Sequence, residues 1–236
     1  MGCLVSQEMR KLAPELDPLR IGTGWKPEDL SKPQIFIEST FGDSHPGSGH
    51  LDVLVEEVRK GVAEEGGFGA RYYCTDMCDG ESQGTDGINY SLVSREMIAN
   101  MIEIQANATP FDAGVYISSC DKGLPANLMG LCRVNIPGVV VLGGTMNAGP
   151  KMLTLNELGV YSAKFQRGEI EEKELKGKDL KLKQKQMVEY LSLLLKFDWE
   201  RSKKEVQGDM YNVISLLLFV ISGIYFVVSV FYLKVK

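Results

Sequence analysis

Gly138-Val139-Val140-Val141-Leu142 contains no polar side chain and is closed by Gly143-Gly144. A strand that is apolar on both faces has to be covered on both faces, which is the habit of parallel strands inside α/β domains. Gly114-Val115-Tyr116-Ile117-Ser118-Ser119 and Gln34-Ile35-Phe36-Ile37-Glu38 read as two further strands. Leu51, Leu54, Val55, Val58 and Val62 recur at helical spacing until Gly66-Gly67 stops them. Val93, Met97, Ile98, Met101 and Ile102 mark a second amphipathic helix. Leu124 to Val134 marks a third, with Pro125 tolerated in its first turn. The expected fold class is α/β: a largely parallel sheet with helices on both faces, then a charged helical linker and a single transmembrane helix.

That expectation divides the chain into four parts. Residues 1–33, punctuated by Pro14, Pro18, Pro27 and Pro33, form an amino-terminal arm laid over the surface. Residues 34–167 form the α/β domain, with a long loop over 71–89 that is rich in Gly, Asp, Thr and Cys. Residues 168–210 form a linker dominated at first by Glu and Lys. Residues 211–233 contain no charged side chain, and 23 residues are long enough to cross a hydrocarbon core of about 30 Å as a helix.

Charge narrows the function classes. The net charge is −5 and the pI about 5.2, which removes the basic face that a nucleic-acid partner requires. Residues 1–30 lack an apolar signal region because Glu8, Arg10, Lys11 and Glu15 interrupt it. Five cysteines in a cytoplasm-like chain favour free thiols or metal ligands over a disulfide framework.

Cys120-Asp121-Lys122 follows a buried strand and precedes a helix, where open α/β sheets place their ligands. A soft thiolate beside a hard carboxylate suits iron on one side and Mg²⁺ on the other. The competing reading is a free cysteine next to a surface ion pair. Cys74 and Cys78, with Asp79 and Gly80, offer two thiols and a carboxylate on the Gly-rich loop. With only His45 and His50 in the chain, a four-ligand zinc site is under-supplied. Asp76, Glu81 and Asp86 add oxygen ligands or are solvated. The loop from His45 to His50 approaches a metal or is a polar turn ahead of the first long helix. Cys132, inside an apolar helix, is expected to pack in the core.

Several segments together resemble the dihydroxy-acid and phosphogluconate dehydratase family, aldonate dehydratases included. They are Cys78-Asp79-Gly80 through Gln83-Gly84, Asp86-Gly87 and Ser91-Leu92-Val93-Ser94-Arg95-Glu96. Next come Cys120-Asp121-Lys122-Gly123-Leu124-Pro125, Asn135-Ile136-Pro137 and Gly143-Gly144-Thr145-Met146-Asn147-Ala148-Gly149. The resemblance covers roughly residues 20–168. It implies an iron–sulfur cluster (2Fe-2S or 4Fe-4S) acting as Lewis acid on a departing hydroxyl, and a Mg²⁺ ion holding the acid end of the substrate. By that resemblance Cys120 is a cluster ligand, Asp79 and Asp121 are Mg²⁺ ligands, and Lys122 is a ligand through a carbamate.

Two departures qualify it. Many members have a cluster cysteine where this chain has Gly47, and Cys78 is then expected to supply that ligand. A further cysteine motif expected shortly after Val160–Leu175 is absent, and the serine base belongs to a carboxy-terminal domain. The expectation is an amino-terminal part of a dehydratase that turns a 2,3-dihydroxy acid, a branched-chain precursor or a sugar acid, into a 2-keto acid. Such a part would be inactive alone, cytoplasmic or anchored to a membrane by its last helix, and homo-oligomeric like its relatives. The alternatives are a membrane-tethered, non-catalytic binding or scaffold protein, or one subunit of a split dehydratase.

Overall fold

The computed structural model describes residues 4–144 and 154–179. Helices α1 (Val5–Leu12) and α2 (Leu16–Gly22) precede strand β1 (Gln34–Ser39). Then follow α3 (Leu51–Glu64), β2 (Phe68–Tyr73), the single turn α4 (Asp79–Ser82) and α5 (Ser91–Ala108). Strand β3 (Ala113–Ser118), α6 (Gly123–Val134) and β4 (Gly138–Leu142) complete the first unit. Helices α7 (Leu155–Gln166) and α8 (Glu172–Asp179) belong to a second unit.

All strand pairings are parallel and the sheet order is β2-β1-β3-β4. The crossover β1-α3-β2 runs toward one edge of the sheet, and β3-α6-β4 runs toward the other. Right-handed crossovers in opposite directions put their helices on opposite faces. Accordingly Leu51, Leu54, Val55, Val58 and Val62 of α3 pack on Ile37, Val115, Ile117, Val139 and Val141. Ile98, Ile102 and Ala106 of α5, with Ala126, Leu131 and Val134 of α6, pack on Phe36 and Tyr116. Phe36 and Phe111, with ring centroids 5.3 Å apart, are essentially fully buried, each worth about 1.5–3 kcal/mol. The α/β part of the expectation, a parallel sheet covered on both faces, stands.

The membrane element of the expected fold class does not. Among the described residues no helix is long and apolar enough to cross a membrane. The apolar run at 211–233 that suggested one lies outside the described residues.

Other local corrections have physical reasons. Cys132 is exposed, not packed in the core, because α6 turns Ala126, Leu131 and Val134 inward. On α5 only Ile98 and Ile102 of the expected stripe are buried, while Val93, Met97 and Met101 face outward. The loop expected over 71–89 begins late, since β2 extends through Tyr73, and it contains α4 and a short 3-10 turn at Asp86–Tyr90. The first 33 residues are partly helical and are tied to the amino end of the sheet. Asp112 accepts from the Ser6 backbone N–H at 3.0 Å, the Ser6 hydroxyl at 2.6 Å and the Gln34 N–H at 2.8 Å.

Candidate active site

Strand order reverses between β1 and β3: the chain leaves β1 toward β2 and leaves β3 toward β4. Loops that diverge at such a point open a crevice beyond the carboxyl ends of the strands. Three side chains from three loops meet there: His45 after β1, Asp76 after β2 and Cys120 after β3. One ligand atom from each lies within 4.8 Å of the other two.

His45 Nε2 is 2.8 Å from Asp76 Oδ1, and both side chains are almost wholly buried. His45 Nδ1 accepts from the Gly47 N–H at 3.0 Å and lies 3.7 Å from Cys120 Sγ. Asp76, and to a lesser degree Cys120, push the imidazole up to about 10, because both stabilise its charged form. Asp76 Oδ2 is buried without a hydrogen-bond partner. Cys120 has a φ of 61°, a left-handed conformation unusual outside glycine. That turn lifts its thiol from the end of β3 just before α6 begins at Gly123. Gly47 is dictated by sterics: a Cβ there would lie 2.3 Å from Cys120 Sγ and 2.6 Å from the His45 ring.

Beside this trio is a charged group. Lys122 Nζ donates to Asp79 Oδ2 at 2.7 Å and to Asp121 Oδ2 at 2.6 Å. The Lys122 ammonium holds the Asp79 carboxyl below its ordinary value. Asp121 and Asp79 in turn hold the ammonium above its own. Asp79 Oδ1 is buried with no hydrogen-bond partner, whereas Asp121 is well exposed. A pair of carboxylates bridged by an ammonium is an arrangement a divalent cation can enter by taking the ammonium's place.

Of the residues singled out from the sequence, Asp79, Asp121 and Lys122 are therefore brought into direct contact. Cys78 stands next to them as the residue before α4, outside the trio at Cys120. Cys74 lies elsewhere, against Glu38, and burial pushes its thiol up to about 12. His45 and Asp76 emerge as more than a polar turn and a solvated acid. Nothing in the sequence pattern joins residues 31 positions apart; the pairing comes from adjacent strands β1 and β2. Glu38 was missed: it is fully buried on β1, directly across from Tyr116 on β3, and burial pushes its carboxyl up to about 8. The Gly144–Gly149 end of the resembling segments lies almost entirely outside the described residues.

The family described as "Dihydroxy-acid/6-phosphogluconate dehydratase N-terminal" matches residues 32–185. A dihydroxy-acid dehydratase of Clostridium botulinum is 42% identical over 151 residues, covering 63% of this chain and 27% of that protein. One from Methanococcus vannielii is 42% identical over 156 residues, covering 65% of this chain and 28% of its own length. One from Agathobacter rectalis is 44% identical over 126 residues, covering 53% and 22%. The chain thus spans about a quarter of the length of the curated relatives it matches. With a family match across most of the chain, and the charged group at the carboxyl end of its sheet built from the matching motifs, this chain belongs to the dihydroxy-acid/6-phosphogluconate dehydratase family through its amino-terminal domain.

Proposed function

We propose that this chain is the part of a dehydratase that grips the acid end of a 2,3-dihydroxy acid, for conversion to a 2-keto acid with loss of water. The observation that carries the reading is the bridge Asp79–Lys122–Asp121 at the switch point of the sheet. Mg²⁺ fits this place. Two carboxylates from separate loops converge, one with a buried oxygen in need of a partner, and hard oxygen donors suit that ion. Bound there, it would neutralise the substrate carboxylate and acidify the neighbouring carbon-bound proton. Asp79, at the start of α4, and Asp121 would supply the carboxylate oxygens that hold the ion. Lys122 would then be free to pair with the substrate's carboxylate or to serve as a ligand through a carbamate.

An iron–sulfur cluster does not fit the described residues as they stand. Cys120 has an imidazole and a carboxylate beside it, not a second thiol. The base that removes the proton is expected from a portion of the relatives' length that this chain does not span.

Titration calorimetry with Mg²⁺ on the full chain tests the grip. One binding event is expected, weakened at least tenfold in Asp79→Asn. Binding heat that is identical in the wild type and in Asp79→Asn contradicts the assignment.

A further inference from the structure

We propose that the uncharged run at residues 211–233 folds back on the outer face of α5 and covers an apolar stripe that the described part of the chain leaves bare. The inference is independent of the dehydratase reading, since it concerns how the chain shields its own apolar surface and not turnover.

Helix α5 is apolar on two sides. One side turns Ile98, Ile102 and Ala106 into the core. At 3.6 residues per turn, Val93, Met97, Met101 and Ile104 fall within an arc of about 80° on the opposite side. All four are exposed, from 38% at Met101 to 58% at Ile104. No charged residue interrupts that arc, which is flanked by Ser94 and Asn100. The acidic residues of α5 point elsewhere: Glu96 and Glu103 pair with Arg133 of α6 at 3.4 and 3.6 Å. Single exposed apolar side chains are ordinary, but a contiguous stripe marks a docking surface. The two methionines at its middle adapt to the shape of what covers them.

The rest of the chain supplies the occupant. Residues 180–236 follow the last described residue, and within them 211–233 carry no charged side chain. Leu, Ile, Val and Phe dominate this run, so it too is driven out of water. Its lack of charge matches that of the stripe, whereas the Lys- and Glu-rich stretch before it would have to bury ions. A membrane taking the run would leave α5 in water, and a second copy taking α5 would leave the run in water. Pairing the two removes both from water at once. Distance is no obstacle, because the roughly 30 residues between them reach about 45 Å even at a helical rise, more than a small domain is wide. A segment of the same chain also acts at an effective concentration of about millimolar, which favours it over a second copy in dilute solution.

The test uses the full chain with Met97→p-benzoylphenylalanine, a photo-crosslinking residue, in the stripe. The control is Lys60→p-benzoylphenylalanine, exposed on α3 across the sheet. Dilute protein is irradiated with phosphatidylcholine vesicles present, digested and read by mass spectrometry. Links from position 97 to peptides of 211–233 in products of single-chain mass are expected, with none from position 60. In the double variant Met97→Asp, Ile104→Asp, proteinase K should cut within 211–233 at least tenfold faster, because carboxylates in the stripe disfavour an apolar cover. Both positions are exposed already, so the core is untouched, and circular dichroism checks the fold. Should that variant fail to fold, the crosslinking result decides alone. Links to lipid, links to a second copy in a product of doubled mass, equal linking from positions 97 and 60, or no link to 211–233 each overturn the proposal. So does cleavage at the same rate in wild type and the folded double variant.

Discussion

Lys122 Nζ lies 2.7 Å from Asp79 Oδ2, tying the turn that begins α6 to the loop after β2 across 43 residues of sequence. Like most partly exposed ion pairs, it is worth at most about 1 kcal/mol to stability. The account therefore predicts that Lys122→Met shifts the urea midpoint only slightly. Asp79→Asn is expected to be equally mild in stability while losing Mg²⁺ affinity. A loss of several kcal/mol in Asp79→Asn, measured by urea unfolding, would show the residue to be structural instead.

Glu38 gives a pH dependence whose sign is fixed. Its carboxyl is raised from an ordinary 4.5 to about 8 by burial, so the folded chain keeps a proton that the unfolded chain has already released. Its contribution to stability is fully present below the unfolded value and is lost as pH rises through about 8. Urea melts between about pH 5 and 8.5 should show stability falling by several kcal/mol. In Glu38→Gln the fall should be markedly smaller, because the amide cannot ionise. Equal slopes in the two proteins would place the pH dependence elsewhere.

Asp112 anchors the amino-terminal helix at the end of the sheet opposite the candidate site. It is buried and accepts three hydrogen bonds, two of them from Ser6. Bonds to a charged acceptor contribute about 1.5–3 kcal/mol each, and they are not independent. Asp112→Ala is expected to cost about 3 kcal/mol in urea unfolding and to leave Mg²⁺ binding unchanged. Loss of Mg²⁺ binding in a folded Asp112→Ala protein would mean that the two ends of the sheet are coupled.

How far the sequence alone reaches can be judged from particular residues. Val139 and Val141 announced a buried parallel strand because an apolar run has few other uses, and Leu51 to Val62 announced their helix by spacing. Strand β2 escaped because it lies at the sheet edge, with Gly69 and Arg71 breaking its apolar pattern. Cys132 misled because an apolar neighbourhood in sequence does not say which way a helix turns. Asp79, Asp121 and Lys122 could be named from motifs. Their mutual contact, like that of His45 with Asp76, depends on which strands become neighbours.

Gly47 offers a steric test. A methyl group at this position meets Cys120 Sγ at 2.3 Å and the His45 ring at 2.6 Å, so Gly47→Ala must push them apart. Overpacking of this kind costs about 1–3 kcal/mol. The expected outcome is a lowered melting temperature, read by calorimetry. A variant as stable as wild type would mean that the loop after β1 is freely displaced.

The most direct measurement of the central claim is 2-keto acid formation from a 2,3-dihydroxy acid with Mg²⁺ present. The full chain is assayed alone and mixed with the carboxy-terminal part of the Clostridium botulinum relative, whose own amino-terminal part serves as the positive control. The account predicts no product from the chain alone and product from the mixture, lost with Asp79→Asn. Product from the unaided chain, or none from the mixture when the control is active, would contradict it.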